Sequence, residues 1–213
     1  MKKIIAVTLL TLLVSCQSAY YAAWEKVGVE KRDILVDRVE DAKESQEDAQ
    51  QEFNSALEEF SQLIKFEGGE LQDVYEQLRD QFEASEESAA AVTQRINKVE
   101  SVAEALFDEW QEELEKYTNQ TLKRDSQRKL KDTQRRYKSL LLAMRKAETK
   151  MEPVLSNLRD NVLYLKHNLN ASAIGALQGE FSGVKQDINQ LVAEMNKAII
   201  ESNKFINSMK GEE

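Results

Sequence analysis

The chain has 213 residues, a formal net charge of −9, and charged side chains at 31% of its positions. A chain this acidic is a poor candidate for binding nucleic acid, whose phosphates attract basic surfaces. It contains one proline, seven glycines and one cysteine, which excludes an intramolecular disulfide and is typical of long helices with few turns.

The first fifteen residues have the pattern of a bacterial export signal. Lys2 and Lys3 form a basic start, and residues 4–13 form an uncharged, mostly apolar run. This run is shorter than the roughly 20 apolar residues that span a bilayer. We therefore predict that residues 1–15 are a lipoprotein signal peptide, and that residues 16–213 form one helical-bundle domain.

The only cysteine, Cys16, ends the sequence Leu13-Val14-Ser15-Cys16. This order is typical of a lipobox, in which a large apolar residue and small residues precede a thiol that carries diacylglycerol. Fatty acyl chains such as palmitate contribute about 0.8 kcal/mol for each buried methylene, so two or three of them form a durable anchor. Cys16 is therefore the predicted lipidation site. The alternative is an ordinary secretion signal that contains a cysteine.

The residue after the cysteine, Gln17, bears on location. By resemblance to known lipoproteins, a residue other than Asp at this position favours transfer to the outer membrane. We therefore expect an envelope protein on the outer membrane, facing the periplasm.

Four apolar seams follow one another along the chain, in steps of four and three residues. They run through residues 35–63, 71–117, 130–165 and 174–209, a spacing typical of helices packed as in coiled coils. Short turns separate them, at Gly68-Gly69 and at residues 118–121 and 168–172, and short turns make neighbouring helices antiparallel. The prediction is an all-α fold, an elongated antiparallel bundle or coiled coil of about four long helices.

Three details refine this prediction. The helix lengths match best if the first helix starts near Ser18. Gln46 is a polar residue within the first seam, where such residues fix register. Pro153 lies within the third seam, whose phase continues through it, so we expect a bend rather than a break.

The third helix opens with a strongly basic segment that could form an interaction surface. Its cations are Lys123, Arg124, Arg128, Lys129, Lys131, Arg135, Arg136 and Lys138. Near the anchor they could meet anionic phospholipid, at about 1 kcal/mol for each charge. They could instead pair with acids on the second helix. Those acids are Glu104, Asp108, Glu109, Glu112 and Glu113.

Gly175, Gly179 and Gly183 repeat every four residues in the fourth helix. Each glycine costs a helix up to about 1 kcal/mol relative to alanine, so the stripe should have a packing reason. Two interpretations remain open: a tight contact within the chain, or a docking groove for a partner helix or a second copy.

Five aromatic residues map to the end of the bundle near the anchor. They are Tyr20, Tyr21, Trp24, Trp110 and Tyr117. Their rings suit a membrane interface, and the alternative is that they pack the end of the bundle.

Nothing in the sequence indicates catalysis. There is no phosphate-binding GK[ST] loop, and the single histidine, His167, suits the C-terminus of a helix. One histidine without a free cysteine or second histidine makes no metal site. We predict no enzyme, no metal, no cofactor and no small-molecule substrate.

The opening of the mature chain resembles that of domain-of-unknown-function family 2959. The similarity is most specific in Cys16-Gln17-Ser18-Ala19-Tyr20-Tyr21 and in the run from Trp24 to Val39, and it covers nearly the whole mature chain. Members are described as lipoproteins of Gram-negative proteobacteria. The resemblance therefore implies a Gram-negative envelope setting, and it implies neither an activity nor site residues.

Two functions are compatible with these features. The first is a lipid-anchored, periplasm-facing, non-enzymatic interaction or scaffold module that meets a protein partner or a second copy. The second is a peripheral membrane-binding protein that binds or shapes anionic phospholipid surfaces. The residues expected to act are Cys16 for the anchor and Gly175, Gly179, Gly183, Lys123, Arg124, Arg128, Lys131 and Arg135 for interaction.

Overall fold

The computed structural model describes residues 30–66, 68 and 71–211, and these residues form four long α-helices without a strand. The helices are α1 (Lys31–Ile64), α2 (Leu71–Leu114), α3 (Gln120–His167) and α4 (Ala171–Lys210). The predicted all-α fold is confirmed. The signal peptide and Cys16 lie outside the described residues, so the anchor stays a prediction.

The helices form a ring in which α1 and α3 each pack against α2 and α4. Contacts between neighbours join the start of one helix to the end of the next. For example, Lys31 pairs with Glu109 at 2.9 Å, and the rings of Phe60 and Phe181 meet edge to face with centroids 5.6 Å apart. The bundle is therefore antiparallel, and its longest helix, the 48-residue α3, extends about 72 Å at 1.5 Å per residue.

The core lies along the predicted seams. All nine seam residues of α1 are buried: Leu35, Val39, Ala42, Gln46, Ala49, Phe53, Ala56, Phe60 and Leu63. Most seam positions of the other helices are buried as well, and one continuous apolar cluster joins the four helices. Burial of these stripes is the main force that holds the bundle together, since long helices gain most of their stability from packing.

The turns near residues 118–121 and 168–172 end in asparagine caps. The Asn119 side chain accepts hydrogen bonds from the backbone of Thr121 and Leu122, at 2.9 and 3.2 Å. Asn170 does the same at the start of α4. These bonds satisfy backbone N–H groups that the first turn of a helix leaves free, so α3 and α4 start slightly earlier than predicted.

The start of α1 differs from its prediction. Glu30 has extended backbone angles, with φ −78° and ψ 148°, and the helix begins at Lys31. The expectation of one continuous helix from Ser18 is therefore wrong at Glu30. Ser18 itself lies outside the described residues.

α3 continues without interruption through Pro153, so the helix does not break there, and the expected bend stays a prediction. Pro153 is exposed, whereas Met151 and Val154 beside it are buried. Packing of these neighbours keeps the helix in phase although proline removes one backbone hydrogen bond.

Gln46 provides a test of the core. Its side chain is fully buried, and its Nε2 and Oε1 atoms have no hydrogen-bond partner. An unsatisfied buried polar group costs about 1–3 kcal/mol. We therefore expect Gln46→Leu to raise the free energy of unfolding in urea by about 1–2 kcal/mol. Gln51→Leu, at an exposed position of the same helix, is the matched control and should change it by less than about 0.5 kcal/mol. A loss of stability in Gln46→Leu would mean that Gln46 has a partner.

Candidate interaction surfaces

The outer surface of the bundle is divided by charge. When the buried seam defines heptad positions a and d, positions b, c and f face away from the core. At these positions α1 has eight acids and no base, and α2 has eight acids and one base. α3 has nine bases and four acids, and α4 has three bases and no acid.

The ring order places like-charged surfaces side by side. Since α1 adjoins α2, and α3 adjoins α4, the outward positions form two faces. We call those of α1 and α2 the acidic face, and those of α3 and α4 the basic face. The outward bases of the basic face are Arg124, Arg128, Lys131, Arg135, Lys138, Arg145, Lys146, Arg159, Lys166, Lys197, Lys204 and Lys210.

Five of the eight cations of the predicted basic segment occupy outward positions of this face, and several cations of the segment pair with nearby acids. Arg135 pairs with Asp132 at 2.9 Å, and both Arg128 and Lys129 pair with Asp125. Lys123 pairs with Glu115 in the preceding turn at 3.0 Å. For these four cations, the partners are acids of α3 and of the turn rather than the acids proposed on α2. The side chains of Arg128 and Arg135 stay 73% and 75% exposed.

The other members of the predicted set occupy the same region. Arg124 is exposed and donates from Nε to the Gln120 carbonyl at 3.2 Å, and Lys131 is exposed. With Arg128 and Arg135, they follow one another in steps of four, three and four residues. That spacing keeps all four on one side of α3.

Ion pairs across helices join α3 to both of its neighbours. Arg159 pairs with Glu86 of α2 at 2.7 Å, and Lys146 pairs with Glu194 of α4 at 3.1 Å. Hydrogen bonds from the ammonium groups of Lys197 and Lys146 lower the pKa of Glu194, which keeps this carboxylate ionised. α3 is therefore fixed on both sides, and its outer surface keeps a defined orientation.

Large exposed apolar side chains lie on the same half of the bundle. In the described part of the chain they are Tyr117, Leu122, Leu142, Leu163, Tyr164, Leu169 and Ile200. Each belongs to α3, to α4 or to a turn that adjoins one of them. Leu142, Leu163 and Ile200 are 69%, 51% and 51% exposed and occupy f positions, opposite the core. The basic face is therefore also the more apolar face.

The glycine stripe is open. Gly175, Gly179 and Gly183 are exposed, and a Cβ atom added at any of them would meet no other atom within 4 Å. The interpretation as a tight contact within the chain is therefore wrong, because these residues occupy outward positions of α4. A docking role for the stripe stays a prediction.

This geometry predicts that alanine stabilises α4. Replacing Gly175, Gly179 and Gly183 together with alanine should raise the free energy of unfolding by about 2–3 kcal/mol, since each glycine costs up to about 1 kcal/mol and no clash opposes the change. Urea denaturation followed by circular dichroism measures the effect. Ala193→Gly, at an exposed position of the same helix, should lower stability by about 1 kcal/mol. A destabilised triple variant would show that the stripe packs against another part of the chain.

Two open grooves lie between α3 and α4. One, of about 420 Å³, is lined by Arg136, Ser139, Glu201, Lys204 and Phe205 among others. The other, of about 380 Å³, includes Asn157, Asn161, Tyr164, Glu180 and Gly183.

Within residues 30–211 as described, no group of three or more histidine, cysteine or acidic residues could hold a metal. No helix in the described part of the chain combines the length and the hydrophobicity that a membrane span requires.

Of the five aromatic residues predicted near the anchored end of the bundle, two lie in the described part of the chain. Trp110 donates from Nε1 to Ser126 Oγ at 2.8 Å and joins α2 to α3, which favours packing for this residue. Tyr117 is 38% exposed in the turn after α2. Tyr20, Tyr21 and Trp24 lie outside the described residues.

The chain also matches the sequence profile of a protein family. The sequence profile of the family described as "Protein of unknown function (DUF2959)" matches residues 20–209. No curated protein matches the chain.

Proposed function

The chain belongs to the DUF2959 family, and we propose that it is a lipid-anchored, non-enzymatic interaction or scaffold module of a Gram-negative envelope, facing the periplasm. The anchor would be Cys16, at the end of the predicted lipobox. The partner would be a protein or a second copy of the chain.

The division of the outer surface by charge carries this proposal. Sixteen outward acids and one base cover the neighbouring surfaces of α1 and α2. Such a surface attracts a basic partner, increases the rate of encounter and disfavours acidic competitors. Apolar side chains of the described helices fill the core of the bundle, so the groups that a partner could contact lie on its outer surface.

Site-specific crosslinking in cells tests the proposal. A photo-reactive residue at Glu44 in α1 or Gln94 in α2, both exposed at f positions, should capture one defined protein or a second copy. Glu44→Lys should reduce capture from Gln94, whereas a probe at Gly179 reports on the glycine stripe. Crosslinks confined to the same chain at all three positions would contradict the proposal.

A second function is supported by the basic face. Arg128 and Arg135 on this face pair with nearby acids of α3 and stay largely exposed. Exposed pairs of this kind contribute little, about 0–1 kcal/mol, and can be exchanged for other anions. We therefore propose peripheral binding of anionic phospholipid as the alternative function.

A further inference from the structure

We propose that the basic face of α3 and α4 lies along the surface of an anionic phospholipid bilayer, with Leu142, Leu163 and Ile200 entering the interface. This inference rests on the alternative function above, and it adds the orientation of the bundle. The acidic face would then point away from the membrane.

Charge gives the first argument. The basic face has twelve outward bases and four acids, and each cation near an anionic membrane contributes about 1 kcal/mol. The acidic face lies on the opposite side of the bundle. It is about 20 Å from the lipid surface, because two helix diameters lie between them. Since the Debye length is about 8 Å at physiological ionic strength, repulsion between the acidic face and the lipid is largely screened.

The exposed apolar residues give an independent argument. Leu142, Leu163 and Ile200 are at least half exposed, and all three occupy f positions among the cations of α3 and α4. None of the large exposed apolar residues of the described chain lies on α1 or α2. Apolar side chains on a basic helical surface are typical of proteins that lie in the membrane interface.

The length of the face determines the orientation. Leu142 and Leu163 are 21 residues apart on one uninterrupted helix, which separates them by about 32 Å. Both can reach the same bilayer surface only when α3 lies roughly parallel to it. In an upright bundle, most of the basic face would extend beyond the Debye length from the lipid.

The lipidated protein in vesicles provides the test. Since Cys16 is the only cysteine and its thiol is blocked in the lipidated protein, a newly introduced cysteine can be labelled alone with a fluorophore. The test positions are Leu142→Cys, Leu163→Cys and Ile200→Cys, and the matched controls on the acidic face are Glu44→Cys and Gln94→Cys. Vesicles contain phosphatidylglycerol or only phosphatidylcholine, with a nitroxide quencher on the acyl chains.

In phosphatidylglycerol vesicles we expect the labels at Leu142, Leu163 and Ile200 to lose most of their fluorescence, and the control labels to lose little. Quenching at Leu142 without quenching at Leu163 would indicate an upright bundle and overturn the orientation. Equal quenching on both faces, or equal quenching in phosphatidylcholine, would overturn the role of the basic face.

Sedimentation of the same samples separates the possible failures. Protein that sediments with the vesicles while no label is quenched retains its anchor and contradicts only the orientation. Protein that sediments with neither type of vesicle contradicts the anchor, and the orientation with it.

Discussion

Replacing Phe53 with alanine is expected to lower the free energy of unfolding by about 3–5 kcal/mol. Phe53 is fully buried in the cluster to which all four helices contribute. Removing its ring loses the transfer free energy of the apolar surface and leaves a cavity that the surrounding helices close only in part. Because domains are typically stable by only about 5–15 kcal/mol, the loss should be a large share of the total.

Urea denaturation followed by circular dichroism measures this effect. Leu142→Ala is the control, since Leu142 is 69% exposed, and it should change stability by less than about 0.5 kcal/mol. A loss below about 1 kcal/mol in Phe53→Ala would contradict a closely packed core.

Replacing Cys16 with alanine is expected to move the protein from the membrane fraction to the soluble fraction. The reason is that the substitution removes the sulfur that would carry the acyl chains, and any attraction through the basic face would be weaker and screened by salt. Fractionation of cells, with a high-salt wash of the membranes, measures the change.

Ser15→Ala is the matched control, since it keeps a small residue before the cysteine and should leave the protein in the membrane. If the Cys16→Ala protein also resists the high-salt wash, the lipobox prediction is wrong.

The fold could be predicted because the seams repeat with little interruption. The step of four and three residues specified the buried side of each helix, including the polar position Gln46. It also showed that Pro153 leaves the phase of α3 unchanged. Turn residues were predicted near their positions, since Asn119 and Asn170 cap the helices that follow.

The contacts of the surface residues were predicted less well than the core. They depend on the direction in which each helix position faces and on which helices are neighbours. Gly175, Gly179 and Gly183 suggested a close contact by composition, but their heptad positions turn them outward. Arg128 and Arg135 pair with nearby acids of α3 rather than with α2. The two faces emerge only from the ring order, which places α1 beside α2 and α3 beside α4.

Binding of the unlipidated chain, residues 17–213, to phospholipid vesicles tests the two-faced bundle most directly. We expect sedimentation with phosphatidylglycerol vesicles at low salt, its loss as salt rises, and none with phosphatidylcholine. Arg128→Glu, Lys131→Glu and Arg135→Glu together should abolish binding, whereas Asp37→Lys and Glu44→Lys on the acidic face should leave it intact. Binding that survives the three basic-face substitutions, or that is equal for neutral vesicles, would contradict the proposal that the basic face binds anionic phospholipid.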